Sequence, residues 1–201
     1  MSPKRSTTRA PLTGPDAVTL ARVPLAVAIA CVALAVEPPA RRALVVLFVT
    51  AMVTDVVDGW WARRLGTVSD RGAALDSFAD AALATSVAAA VAVTVEWATG
   101  SWAWWAISAV AAIRLAGLCV TLTRFKVVSI AHTWGNKATG LVVAAVALWA
   151  LASGRLDDRC VAVACVVAAA AALEELTMAA TTVVYSRDRR GWWDPIRLPD
   201  P

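Results

Sequence analysis

The sequence predicts an all-α integral membrane protein of six transmembrane helices, with a cytoplasm-facing polar cavity between helices 2, 3, 4 and 5. Three observations carry that expectation. Hydrophobic residues make up 59% of the 201 and mean hydropathy is +0.65, above the apolar share of about 45–50% in soluble domains. Charged residues, at 17% against about 25% in soluble domains, gather in short stretches between apolar runs long enough to cross a bilayer. One stretch, Asp55 to Asp80, nevertheless sets carboxylates and guanidinium groups among Ala, Val and Leu, where unpaired charge is expensive and by default marks function.

Residues 1–14, rich in Lys, Arg, Ser, Thr and Pro, read as an N-terminal tail. Residues 15–185 form the six-helix membrane domain and residues 186–201 a C-terminal tail. A first helix runs from Asp16 to Val36, with Asp16 as its N-cap after Pro15. Thr19 and Arg22 lie near its start and read either as contacts of a nucleotide or lipid headgroup or as helix-start residues. Glu37-Pro38-Pro39-Ala40 breaks the chain, and a second span covers Ala43 to Trp61 with Asp55 and Asp58 in its last turns. The polar link Arg63 to Arg71 leads into a third span, Gly72 to Trp97, with Asp76 and Asp80 in its first turns. A short uncharged turn, Ala98 to Ser101, follows, flanked by Trp97, Trp102, Trp104 and Trp105 in the manner of an interfacial belt. The fourth span is Trp102 to Leu122, interrupted by Arg114. The link Arg124 to Lys137 holds Lys126 and His132, which reads as a solvated histidine. A fifth span, Ala138 to Ala152, the link Ser153 to Arg159, and a sixth span, Cys160 to Tyr185, complete the set, with Glu174 and Glu175 inside the last. Trp192 and Trp193 anchor the tail at the interface.

Basic residues set the orientation. With the N-terminus inside, one face carries thirteen Lys and Arg, among them Lys4, Arg63, Arg71, Arg124, Lys137 and Arg187, and the other carries Arg41, Arg42, Arg155 and Arg159. The positive-inside rule then places both termini and the aspartates on the cytoplasmic side of a multi-pass cell-membrane protein. The same rule accounts for the net charge of +4 without nucleic acid, for which there is no basic helix or aromatic-basic module. Cys31, Cys119, Cys160 and Cys165 lie mostly within apolar runs without CxxC spacing and read as small buried hydrophobes. No small-residue cleavage site follows the first apolar run, so a cleaved signal peptide is not expected.

Asp55 and Asp58 are spaced i, i+3, and Asp76 and Asp80 i, i+4, so each pair shares one helix face. Both pairs flank the same link, which lets two helices converge four carboxylates at one locus. Such a cluster repels itself unless neutralised, and a pair of divalent cations is the usual remedy, able to clamp a diphosphate and steady an in-line displacement. Gly59 and Gly72 leave room for a bulky group beside the backbone, Ala62 keeps the next turn shallow, and Arg63 offers a forked cation to a phosphate. Asp80, the deepest of the second pair, is the candidate general base.

DVVDGWWAR, eight residues, then GAALDSFAD matches at every fixed position the DxxDGxxARx8GxxxDxxxD signature of the CDP-alcohol phosphotransferases, which the chain resembles over roughly residues 11 to 185. The resemblance implies a six-helix membrane fold with cytoplasmic termini, a homodimer, and transfer of a substituted phosphate from a CDP-linked donor, in bacteria usually CDP-diacylglycerol, to an alcohol with release of CMP. It implies that Asp55, Asp58, Asp76 and Asp80 hold two divalent cations, Mg or Mn, and that Asp80 takes the acceptor's proton. It further implies that Asp55, Gly59, Ala62, Arg63, Ser69 and Gly72 line the CDP site, with Ser69 near the cytosine.

The acceptor is read from basic residues outside the signature. Arg114 inside a span requires a phosphate or carboxylate partner, and with Arg124 and Lys137 it suits a phosphorylated alcohol. AIRLAGL, LTRFK and GNKATG loosely resemble phosphatidylglycerophosphate synthases, which implies glycerol 3-phosphate. The chain departs from those enzymes at Asp76-Ser77 and Asp80-Ala81, where they carry Asp-Pro and Asp-Lys. Inositol phosphate or another alcohol or lipid acceptor is the alternative within the same reaction. A cation transporter or channel is the alternative from another class; it would spread its acids through the depth of the bundle, whereas these lie at one end.

Overall fold

A computed structural model describes residues 14–35, 40–66, 70–126, 133–182 and 191. Among them are six α-helices, α1 (Gly14–Ala35), α2 (Arg41–Leu65), α3 (Asp70–Thr94), α4 (Trp102–Phe125), α5 (Trp134–Ser153) and α6 (Asp158–Thr181), and two short strands, β1 (Glu96–Ala98) and β2 (Arg155–Asp157). All six helices contain a stretch long and apolar enough to cross a membrane. The chain divides into two compact units, Met1–Thr94 and Val95–Pro201.

In the first unit α1 packs against both α2 and α3. Among the described residues of α1, Thr19, Arg22, Ala26, Ile29 and Ala33 are buried, alternating steps of three and four that draw one seam along the helix. Leu44, Phe48, Ala51 and Asp58 form the matching seam of α2, and Ala79, Val87 and Ala90 lie within that of α3. Small residues recur where backbones approach, as in membrane helix pairs held by packing rather than by exclusion from water. Each seam is apolar along most of its length and polar at one end, so the packing that builds the core also gathers Thr19, Arg22 and the aspartates.

In the second unit α6 packs against both α4 and α5. Gly117 of α4 lies against the backbone of Leu176. Gly154 ends α5 in the left-handed region at φ 73°, its amide donating to the Ala150 carbonyl at 2.7 Å. The chain then pairs β2 in parallel with β1, with Glu96, Trp97 and Ala98 opposite Arg155, Leu156 and Asp157. Asp157 caps α6 by accepting from the Cys160 amide at 3.0 Å. Asp158 accepts from the Gly100 amide at 3.2 Å and from Trp102 Nε1 at 2.9 Å, fastening the turn before α4 to the start of α6.

The six-helix, all-α expectation holds, and one short strand pair is added to it. The third span ends at Thr94 because Trp97 belongs to β1, where it stacks on Trp104 with centroids 4.9 Å apart. The first helix begins at Gly14, so Asp16 lies within its first turn and is not its cap. The link expected from Arg124 to Lys137 is shorter at both ends. Arg124 belongs to the last turn of α4, and α5 starts at Trp134 because the Thr133 side chain accepts from the Asn136 amide at 3.1 Å. The Glu37-Pro38-Pro39 break, Ser69, His132, Tyr185, Trp192 and Trp193 lie outside the described residues, as do the tails apart from Gly191.

Candidate functional site

At the polar end of the first unit, the C-terminal part of α2 and the N-terminal part of α3 bring Asp55, Asp58, Asp76 and Asp80 around one point. One oxygen from each of Asp55, Asp76 and Asp80 lies within 4.8 Å of the others. The fourth acid, Asp58, is the buried one, its side chain 5% exposed against 56% for Asp80.

Arg22 of α1 stands at the centre. Its side chain is wholly buried, with Nη1 2.9 Å from Asp55 Oδ1 and also donating to Asp80 Oδ1. Nη2 donates to Asp58 Oδ2 at 2.5 Å and to Asp76 Oδ1 at 2.7 Å. Thr19, one turn earlier, donates its hydroxyl to the same Asp58 oxygen at 2.7 Å. One forked cation thus reaches all four acids, as a planar guanidinium with several donors can and an ammonium cannot.

From the sequence, Arg22 and Thr19 read as helix-start residues or as ligand contacts; in the structure they bind the aspartates. The signal that assigns them to the aspartates is the seam: Thr19 and Arg22 fall in register with Ala26, Ile29 and Ala33, so a charge at position 22 points into the core and requires an internal partner.

Gly59 follows Asp58, and a Cβ there would stand 3.2 Å from Arg63 Nη1. The missing side chain lets the Arg63 guanidinium fold back along α2 beside the acids. Ala62 lies on the same helix, and Gly72 is half-buried in the first turn of α3.

The second unit holds a separate polar group. Arg114 Nη1 donates to Asn136 Oδ1 at 2.7 Å and to Glu175 Oε2 at 3.2 Å, and Asn136 Nδ2 donates to the same Glu175 oxygen at 3.3 Å. The carboxylate partner expected for Arg114 is therefore Glu175. The adjacent acids of α6 diverge: Glu174 turns to α5, where a Cβ on Gly135 would stand 2.7 Å from its Oε2, and its Oε1 is buried without a hydrogen-bond partner. Arg124 Nη1 donates to the Ala179 carbonyl at 2.7 Å and to that of Ala180, at the C-terminal end of α6. The Lys137 ammonium lies over the Trp134 ring, 5.3 Å from its centroid.

A family model described as CDP-alcohol phosphatidyltransferase matches residues 12–184. No curated protein and no solved structure matches the chain.

Proposed function

Because the chain belongs to the CDP-alcohol phosphatidyltransferase family, transferases of substituted phosphate groups, we propose that it moves the phosphatidyl group of CDP-diacylglycerol to glycerol 3-phosphate and releases CMP. The observation that carries this reading is the convergence of Asp55, Asp58, Asp76 and Asp80 on one point. The donor set is all carboxylate oxygen and already encloses a cationic group, a composition that fits Mg or Mn. Two such ions, held by these four residues, would neutralise the diphosphate and polarise the phosphorus under attack.

The remaining roles belong to the chain itself. Asp80, the most exposed of the four acids, takes the proton of the acceptor hydroxyl as its oxygen bonds to the phosphatidyl phosphorus. The phosphoanhydride bond breaks, and CMP leaves with the electron pair. Asp55, Gly59, Ala62, Arg63, Ser69 and Gly72 line the CDP site, Arg63 as the fork for a phosphate. Arg114, Arg124 and Lys137 hold the acceptor's phosphate. The diacyl tails stay in the lipid, the active site and both termini face the cytoplasm, and the protein works as a homodimer.

The test is CMP release by purified protein from CDP-diacylglycerol with Mg or Mn and a panel of acceptors. Release that depends on glycerol 3-phosphate is expected. Release with inositol phosphate instead would reassign the acceptor, and no CMP with any acceptor would overturn the reading.

A further inference from the structure

Four ionised carboxylates at one locus repel one another, and α1 supplies positive charge among them from within the chain. Arg22 touches each of the four through two nitrogens, Nη1 serving Asp55 and Asp80, and Nη2 serving Asp58 and Asp76. We propose that Arg22 is the resident cation of this site and that loading of divalent cations expels its guanidinium from among the carboxylates. The inference rests on the reading that these aspartates hold such ions.

The balance of charge supports it. Four carboxylates and one guanidinium sum to −3. Two divalent cations bring +4, so a guanidinium left in place would face a site already neutralised and two ions of its own sign.

The local structure leaves Arg22 able to move. Its Nε is buried with no hydrogen-bond partner, so no bond at that nitrogen ties the side chain to its own helix. Pro24 lies inside α1 two residues on, and its ring nitrogen cannot donate to the Leu20 carbonyl, so the turn bearing Arg22 lacks one rung.

The experiment titrates Mn(II) into the purified full chain in detergent, reading free Mn(II) by electron paramagnetic resonance, for wild type and Arg22→Gln. With the competing charge removed, Arg22→Gln is expected to bind about tenfold or more tightly, the scale on which one neighbouring charge shifts the occupancy of a carboxylate. A second measurement needs no variant: an arginine-directed dicarbonyl, with the Arg22 peptide read by mass spectrometry, is expected to label Arg22 in wild type only after Mn(II) is added. Equal or weaker Mn(II) binding by a folded Arg22→Gln would overturn the inference and leave the metal reading standing. So would an Arg22 that stays unlabelled at saturating Mn(II), which decides the matter where the variant does not fold. No Mn(II) binding by either protein would overturn both.

Discussion

Glu175 of α6 accepts from Arg114 of α4 at 3.2 Å, and Asn136 of α5 bonds to both. Three helices of the second unit thus share one polar node. A double-mutant cycle with Arg114→Met and Glu175→Leu, read by thermal unfolding in detergent, is expected to give a coupling of about 0.6–1.7 kcal/mol, the range of hydrogen bonds between membrane helices. Additive losses would mean that the pair contributes nothing as a pair.

Asp58 and Asp80 should separate stability from chemistry. Asp58 is buried and held by both Arg22 and Thr19, so Asp58→Asn is expected to cost about 1–3 kcal/mol of stability, the penalty for spoiling an enclosed charged bond. Asp80 is the exposed acid, and Asp80→Asn is expected to fold as wild type while losing about 10²–10⁴-fold in CMP release, the usual worth of a general base. Full activity in Asp80→Asn would remove it from the chemistry.

Lys126 closes α4 at φ 59° and ψ 25°, its amide donating to the Leu122 carbonyl at 3.1 Å. Left-handed backbone costs a residue with a Cβ about 1–2 kcal/mol, and glycine escapes that cost. Lys126→Gly is therefore expected to raise stability by about 1 kcal/mol, measured as a higher midpoint of thermal unfolding.

Asp157 precedes the sixth membrane span, and the Cys160 amide that bonds to its carboxylate holds its pKa below the usual value. A lowered folded pKa stabilises the fold above the unfolded pKa, about 3.9, and that contribution disappears as pH falls through the folded value. Asp157→Ala is expected to melt below wild type at pH 6, with the gap closing below about pH 4 as the carboxyl is protonated in both states. Asp157→Asn, which keeps an acceptor without a titrating charge, should hold its advantage over Asp157→Ala across the same range.

The six spans were legible because a helix crossing a bilayer must be long and apolar, a property of consecutive residues. The strands were not. Glu96–Ala98 and Arg155–Asp157 are three residues each and exist only because they pair with one another across α4 and α5. Arg114 was legible as a charge in need of a partner, but Glu175 as that partner depends on how α4 turns toward α6.

The sequence by itself determined the membrane class and the acid motif, since spacing along a helix decides which side chains share a face. Only the tertiary structure decided what stands among the acids. Arg22 lies 33 residues before Asp55 and 58 before Asp80, and no local pattern links them. They meet because α1 packs against both α2 and α3 along one seam whose polar ends coincide, and there a buried guanidinium finds in four carboxylates the countercharge that hydrocarbon cannot give it.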